Sequence, residues 1–294
     1  MTLTVIDDDG TVSIRANDRT IARYRAATEA SKPHFETLVL PNSAGDTAGR
    51  NVVLAAPHDH QWHLGLFFCQ KLIDGINCWE SELFESQDRP HGYAENLDYE
   101  LVRQDGEIEI IQNVTWKTSA GEKLLADTRD IRLYEPSDGG YLVVWEQEIE
   151  AENATRYLSS ETLHGHYSGF SVRLRRSMTD GQVRVEDTTG ANDQNGPRGR
   201  WCDYSGGIDG RIGTTERWTG GLTLMDHPSN DHHPVRWFTA TEPFGFVAVN
   251  PTYQTVTTVA KGTSVSWQWG AWIHSGTPSI DAIEDAYDQF VART

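Results

Sequence analysis

The sequence predicts an all-β protein, an antiparallel β-sandwich closed by one C-terminal helix, on three observations. Apolar and polar residues alternate with a period of two in run after run; Gly, Asp, Asn and Ser clusters punctuate those runs; and a stripe of helical period stands out only at the end of the chain. Neither a linker nor an internal repeat interrupts the pattern, so residues 1–294 are read as a single β-sandwich domain. A chain of 294 residues buries a core large enough to need no disulfide or metal staple.

The elements follow in order. Residues 1–17 form a hairpin turning at Asp9-Gly10, because Asp-Gly tolerates the positive φ values of a two-residue hairpin turn. EIEIIQNVTWKT, KLLADTRDIRLYE and YLVVWEQEIEA make a three-strand meander, with Tyr141, Val143, Trp145, Gln147 and Ile149 on one face of the last strand. Residues 196–221 are rich in Gly and polar side chains and read as loops around one short strand, Arg200 to Tyr204. LTLM, FGFVAVN and SVSWQWGAWIH return to alternation. After Pro278, Ser279 caps a helix over about 279–292, whose Ile280, Ile283, Tyr287, Phe290 and Val291 share a stripe.

Composition narrows the function. The net charge of −18 repels phosphate backbones and anionic lipid, which argues against nucleic acid and membrane partners. No apolar run approaches the roughly 20 residues of a membrane span, and the N-terminus has no basic region followed by an apolar stretch, so a cytoplasmic location is expected. Cys69, Cys78 and Cys202 include no CxxC pair, which disfavours a disulfide framework or a cysteine zinc module. GxGxxG, P-loop, GxSxG and HExxH motifs are absent, and with them the common signatures of NAD, ATP, serine-hydrolase and zincin chemistry.

The chemistry-bearing stretch is HDHQWHLG, residues 58–65. Read as an extended strand, it puts His58, His60 and Trp62 on one side and Asp59, Gln61 and His63 on the other. His residues two apart on a strand can chelate an ion, so no cofactor is predicted but a divalent metal stays open, held by His58, His60 and either His274 or His232. HGHYSGF and DHPSNDHHPVRW combine imidazoles with Gly, Pro, Asn and Asp, which suits loops on a rigid scaffold. Imidazole transfers protons near neutrality, and carboxylates such as Glu82, Glu161 and Asp203 can serve as bases or fix a His tautomer. Trp62, Trp79, Trp201, Trp237, Trp269 and Trp272 add apolar faces of the kind that pack on sugar rings. Core packing is the competing role for each of these tryptophans.

The segment PHDHQWHLGLFF resembles the D-H-P-H-H-R-G-L-W segment of the PmoA-like proteins of unknown function, labelled "methane oxygenase PmoA". KPHFETLVLPNSAG, IDGINCWE, HYSGFSVRL, RWCDYSG, LTLMDHPSNDHHPVRW and WIHSG extend the likeness in order over about residues 30–290. It implies that Asp59, His60, His63 and Gly65 belong to a first motif, and Tyr167, Gly169 and Arg173 to a second. Trp201, Asp203, Tyr204 and Gly206 fall on a third; Asp226, Pro228, Asn230, Pro234 and Trp237 on a fourth; and His274 on the last. Gln61, Trp62 and Leu64 depart from the Pro, His and Arg of the pattern. Methane oxidation is set aside, because the membrane enzyme behind that label spans a bilayer and no segment of this chain is suited to it. The resemblance further implies the company of sugar oxidoreductases. A weaker likeness to galactose-mutarotase-like proteins implies a supersandwich, with Asn250 standing where those proteins carry a late Glu.

Together these observations lead to the expectation of a soluble carbohydrate-active enzyme of sugar catabolism. His60, His63 and His274 would transfer protons, oriented by Asp203 or Asp59. Asp59, Trp62, His166, Tyr167, Arg173, Trp201, Tyr204, Asn230 and His232 would hold the sugar. The substrate would be a sugar, keto-sugar or glycoside undergoing elimination, hydration, hydrolysis or epimerisation. A carbohydrate-binding accessory protein and a His-rich metal enzyme are the rival expectations, and homo-oligomerisation is open.

Overall fold

The computed structural model describes residues 2–27, 32–41, 50–80, 90–137, 139–160, 167–186, 196–209 and 218–294. They form two eight-stranded antiparallel sheets, a small four-stranded sheet and the C-terminal helix Ile280–Val291. In spatial order the first sheet runs Leu3–Asp8, Thr11–Ala16, Arg19–Arg25, His34–Leu38, Leu66–Cys69, Gly169–Arg173, Phe246–Asn250 and Arg236–Ala240. The second runs Gln182–Val185, Trp201–Ile208, Trp218–Asp226, Ser264–Ser275, Gly140–Glu150, Lys123–Tyr134, Glu107–Thr118 and Gly92–Gln104. The expected hairpin is there, with Asp9 and Gly10 at φ +48° and +80° between Leu3–Asp8 and Thr11–Ala16. So is the meander Glu107–Thr118, Lys123–Tyr134, Gly140–Glu150, paired strand to strand.

Between the sheets lies an aromatic core. Trp145 of the second sheet meets Tyr24, Phe35 and Phe170 of the first, with ring centroids 6.0, 6.5 and 5.3 Å away. Phe68 of the first sheet meets Trp116 and Trp267 of the second at 6.4 and 5.8 Å. Because side chains alternate along a strand, these contacts fix the faces of both sheets. Phe68, Phe170 and Val172 point inward, so Phe67, Ser171 and Arg173 point to the outer face of the first sheet. In the second sheet Cys202, Tyr204, Leu222, Leu224 and Ile273 belong to the inner core, whereas Trp201, Met225 and Trp272 pack outward under the helix.

The helix is capped as expected, Ser279 Oγ accepting from the Ala282 backbone N–H at 3.2 Å. Its buried stripe is Ile283, Ala286, Tyr287 and Phe290; Ile280 is 49% exposed, because the helix meets the sheet only after its first turn. Gly270 permits that approach, since a Cβ there would press on the Phe290 ring. Residues 210–217 of the Gly-rich stretch lie outside the described residues, and the described part corrects the expectation of loops around one short strand. Trp201–Ile208 is a full strand, and Thr219, Gly220 and Gly221 open the next one, paired to Gly207, Gly206 and Ser205. Glycine here serves close packing: a Cβ on Gly221 would collide with the Tyr204 carbonyl.

Trp145 joins both sheets, so Trp145→Ala should cost about 3–5 kcal/mol of stability, read as a lowered urea midpoint with an unchanged slope. Wild-type stability in that variant would show that the sheets are held together elsewhere.

Candidate active site on the outer face of the first sheet

Residues 57–63 are two successive turns and not a strand, closed by His60 N–H to Pro57 O at 3.1 Å and His63 N–H to His60 O at 2.9 Å. The strand expectation fails because Pro57 and the turn hydrogen bonds break the alternation. His60 and His63, three apart, therefore stack with centroids 4.8 Å apart, while His58 turns away to solvent. Arg173 ties the turn to the sheet. It donates to Asp59 Oδ2 at 2.8 Å and to His63 Nδ1 at 3.2 Å, and Arg176 donates to Asp59 Oδ1 and His58 Nδ1, both at 2.8 Å.

This geometry assigns protons. Arg173 occupies His63 Nδ1 as donor, so neutral His63 carries its proton on Nε2. Burial, followed by the nearby charges of His60 and Arg173, pushes His63 down to about 2. His63 is therefore neutral at working pH. Burial raises the Asp59 carboxyl, but hydrogen bonds from Arg173 and His60 outweigh it and hold it well below the usual carboxylate range. Ionised Asp59 then accepts from His60 Nδ1 at 3.2 Å, leaving Nε2 of the half-buried His60 able to take a proton.

A closed circuit of rings lines the adjoining face. Tyr167 meets Phe238 at 5.6 Å, Phe238 meets Phe246 at 6.1 Å, Phe246 meets His63 at 4.8 Å, His63 meets Trp79 at 6.2 Å, and Trp79 returns to Tyr167 at 5.0 Å. Trp79, Phe246 and His63 are buried as a floor, while Tyr167, Phe238, Phe244, His60 and Trp62 are half-buried around it. Opposite the histidines stands a second polar group. Lys71 Nζ donates to both Glu80 oxygens at 2.6 Å, and the Tyr167 hydroxyl lies 3.3 Å from Glu80 Oε1 and 3.4 Å from Lys71 Nζ. Burial raises the Glu80 carboxyl, but Lys71 and Asn77 bring it below its usual value, so Glu80 is a carboxylate.

The structure does not bring every expected site residue here. Asp203 and His274 are fully buried on the outer face of the second sheet, across the core from His60 and His63. His274 Nε2 and Asp203 Oδ1 are 2.9 Å apart; Asp203 also accepts from Thr223 and Ser205 at 2.9 Å and from Arg184 at 2.7 Å. Trp201 packs under the helix and donates to Glu284 at 2.8 Å, and Tyr204 sits in the inner core, donating to Met178 O at 2.6 Å. Asn230 fastens its own loop, donating to Asp226 and to Gln268 O and accepting from Gln268 N–H. His232 is exposed in that loop, before a cis His233-Pro234 bond. The set His58, His60 with His274 or His232 is thus not assembled, and among the described residues no group of three or more His, Cys, Asp or Glu could hold a metal ion. Asn250 accepts from Thr252 N–H at 2.8 Å, a local turn contact. His166, with Glu82, Glu161 and His164, lies outside the described residues.

Lys71, Glu80, Arg176, Phe238, Phe244 and Phe246 were missed in the sequence. A lysine inside the apolar run LFFCQKLI was the available signal, since a buried ammonium needs a built partner. A family model described as "Family of unknown function (DUF6807)" matches residues 11–288, and the chain belongs to that family. No curated protein matches the chain.

Breaking the buried Asp203–His274 pair with Asp203→Asn should cost about 3–5 kcal/mol. Burial raises Asp203, but the bonds from His274 and Arg184 leave it net depressed. Its contribution is therefore complete above the ordinary carboxylate range and is lost as pH falls through and below that range. Acid titration of the unfolding free energy should be shallower in the variant than in wild type; superimposable curves would remove Asp203 as the cause.

Proposed function

We propose that the protein is a carbohydrate-active enzyme whose site is the aromatic face of the first sheet, with His60 as its general base. The observation that carries this reading is the ring circuit set between two proton-bearing groups, His60–Asp59 on one side and Tyr167–Glu80–Lys71 on the other. Sugar C–H faces pack on the half-exposed rings of Tyr167, Phe238, Phe244 and Trp62, and hydroxyls find donors and acceptors at both ends. The resemblance of HDHQWHLG to the PmoA-like segment, and the sugar-catabolic company it implies, support the same direction.

Asp59 holds His60 with Nδ1 protonated, so Nε2 receives the substrate proton and the resulting imidazolium is stabilised by the carboxylate. Tyr167, poised beside Lys71 and Glu80, supplies or receives the compensating proton from the other side. In a keto-sugar or keto-glycoside the carbonyl acidifies the neighbouring C–H, which brings it within reach of an imidazole base; elimination or epimerisation follows. His63 and Arg173 position the turn. The protein acts in this reading as a soluble catabolic enzyme.

Thermal unfolding against a panel of mono- and disaccharides and their keto derivatives tests the site, since a ligand at a hundred times its dissociation constant adds about 2.7 kcal/mol. With a stabilising sugar in hand, His60→Ala should lower kcat about 10²- to 10⁴-fold while the sugar still stabilises the fold. Full turnover in that variant would sink the general-base assignment, and the absence of any sugar-induced shift would sink the carbohydrate reading.

A further inference from the structure

The chain as a whole is strongly acidic, yet among the described residues the candidate site holds cations in excess of the carboxylates that pair with them. Of its Lys residues, at 32, 71, 117, 123 and 261, two are buried beside this one face. Lys71 is matched by Glu80. Lys32 is fully buried, donates to Trp79 O at 2.7 Å, contacts Cys69 Sγ at 3.6 Å and stands over the Phe67 and Trp79 rings at 5.2 and 5.3 Å; among the described residues no carboxylate pairs with it. At the other edge Arg173 and Arg176 share the single carboxylate of Asp59. Arg173 is buried and among the described residues its Nε has no partner, while Arg176 is half exposed at the rim. A buried cation is costly unless an anion pairs with it. Among the described residues, two positive charges beyond local balance flank one aromatic floor.

Resting on the carbohydrate reading of this site, we infer that the ligand is an anionic sugar, a ring bearing a carboxylate or phosphate group. Arg176 meets the anion at the rim, Arg173 backs it, and Lys32 beneath Trp79 offsets its charge. The hydroxylated ring lies over Tyr167 and Phe238. Neutral sugars of the same ring stereochemistry lack the group that the surplus cations select.

The test is calorimetric binding of matched ligands to the full chain: glucose and galactose, their uronates, and the corresponding 6-phosphates, at low and high salt. A charged sugar is expected to bind about tenfold or more tighter than its neutral parent, the worth of one charge-assisted hydrogen bond, with the advantage shrinking at high salt. Whether the uronate or the phosphate is preferred identifies the anion. Arg176→Gln should reduce the advantage about tenfold, and Arg176→Lys, which keeps the charge, should retain part of it. Neutral and charged sugars binding equally well would overturn the inference and leave the carbohydrate reading standing. If no sugar of either kind binds, both fall.

Discussion

The packing of two eight-stranded sheets through one aromatic layer constrains everything else in this protein. Trp145, Phe170, Phe68, Trp116 and Trp267 occupy the interior, and their burial sets which residues of every strand face in and which face out. Phe170 and Val172 go inward, so Arg173 can only reach the far side of its sheet. The same rule puts Asp203 and His274 on the outer face of the other sheet. Two histidine-carboxylate pairs that look equivalent in sequence are thereby separated by the full thickness of the core.

The two pairs also differ in what they can do. His274 and Asp203 are without solvent access and are enclosed by Thr223, Ser205 and Arg184, an arrangement that holds strands together. His60 and Asp59 are half-buried on a turn, where Asp59 engages one imidazole nitrogen and the proposed function assigns the other to the substrate. Burial is the difference that assigns the proposed chemistry to His60–Asp59 and not to His274–Asp203, because the same hydrogen bond is useful for proton transfer only where a substrate can approach.

Buried charge recurs through the fold. Arg129 and Asp127 pair in the inner core beside Trp145 and Trp116, Lys71 and Glu80 pair beside the candidate site, and Arg173 reaches Asp59 from within the sheet. Each pair offsets a desolvation cost of several kcal/mol per ion only through its geometry, so each makes the surrounding backbone intolerant of displacement. Around the site this rigidity is useful, for it fixes the turn that presents His60 against a floor of packed rings.

The sequence by itself determined the all-β class, the first hairpin, the meander and the capped helix, and it singled out HDHQWHLG as the candidate chemistry-bearing stretch. Each of these rests on local signals: period-two alternation, an Asp-Gly turn, a Ser cap, and side chains that ionise near neutrality. It also marked Asp59, His60, His63, Tyr167 and Arg173, which the fold does gather. What only the tertiary structure decided was company and depth. Trp201, Tyr204 and Asn230 are as polar and aromatic as Trp79 and Tyr167, yet they pack under a helix, in the core and in a self-fastened loop. The register of strands distant in sequence sorts one set from the other, and that register is fixed by long-range packing of the two sheets, which no local pattern encodes.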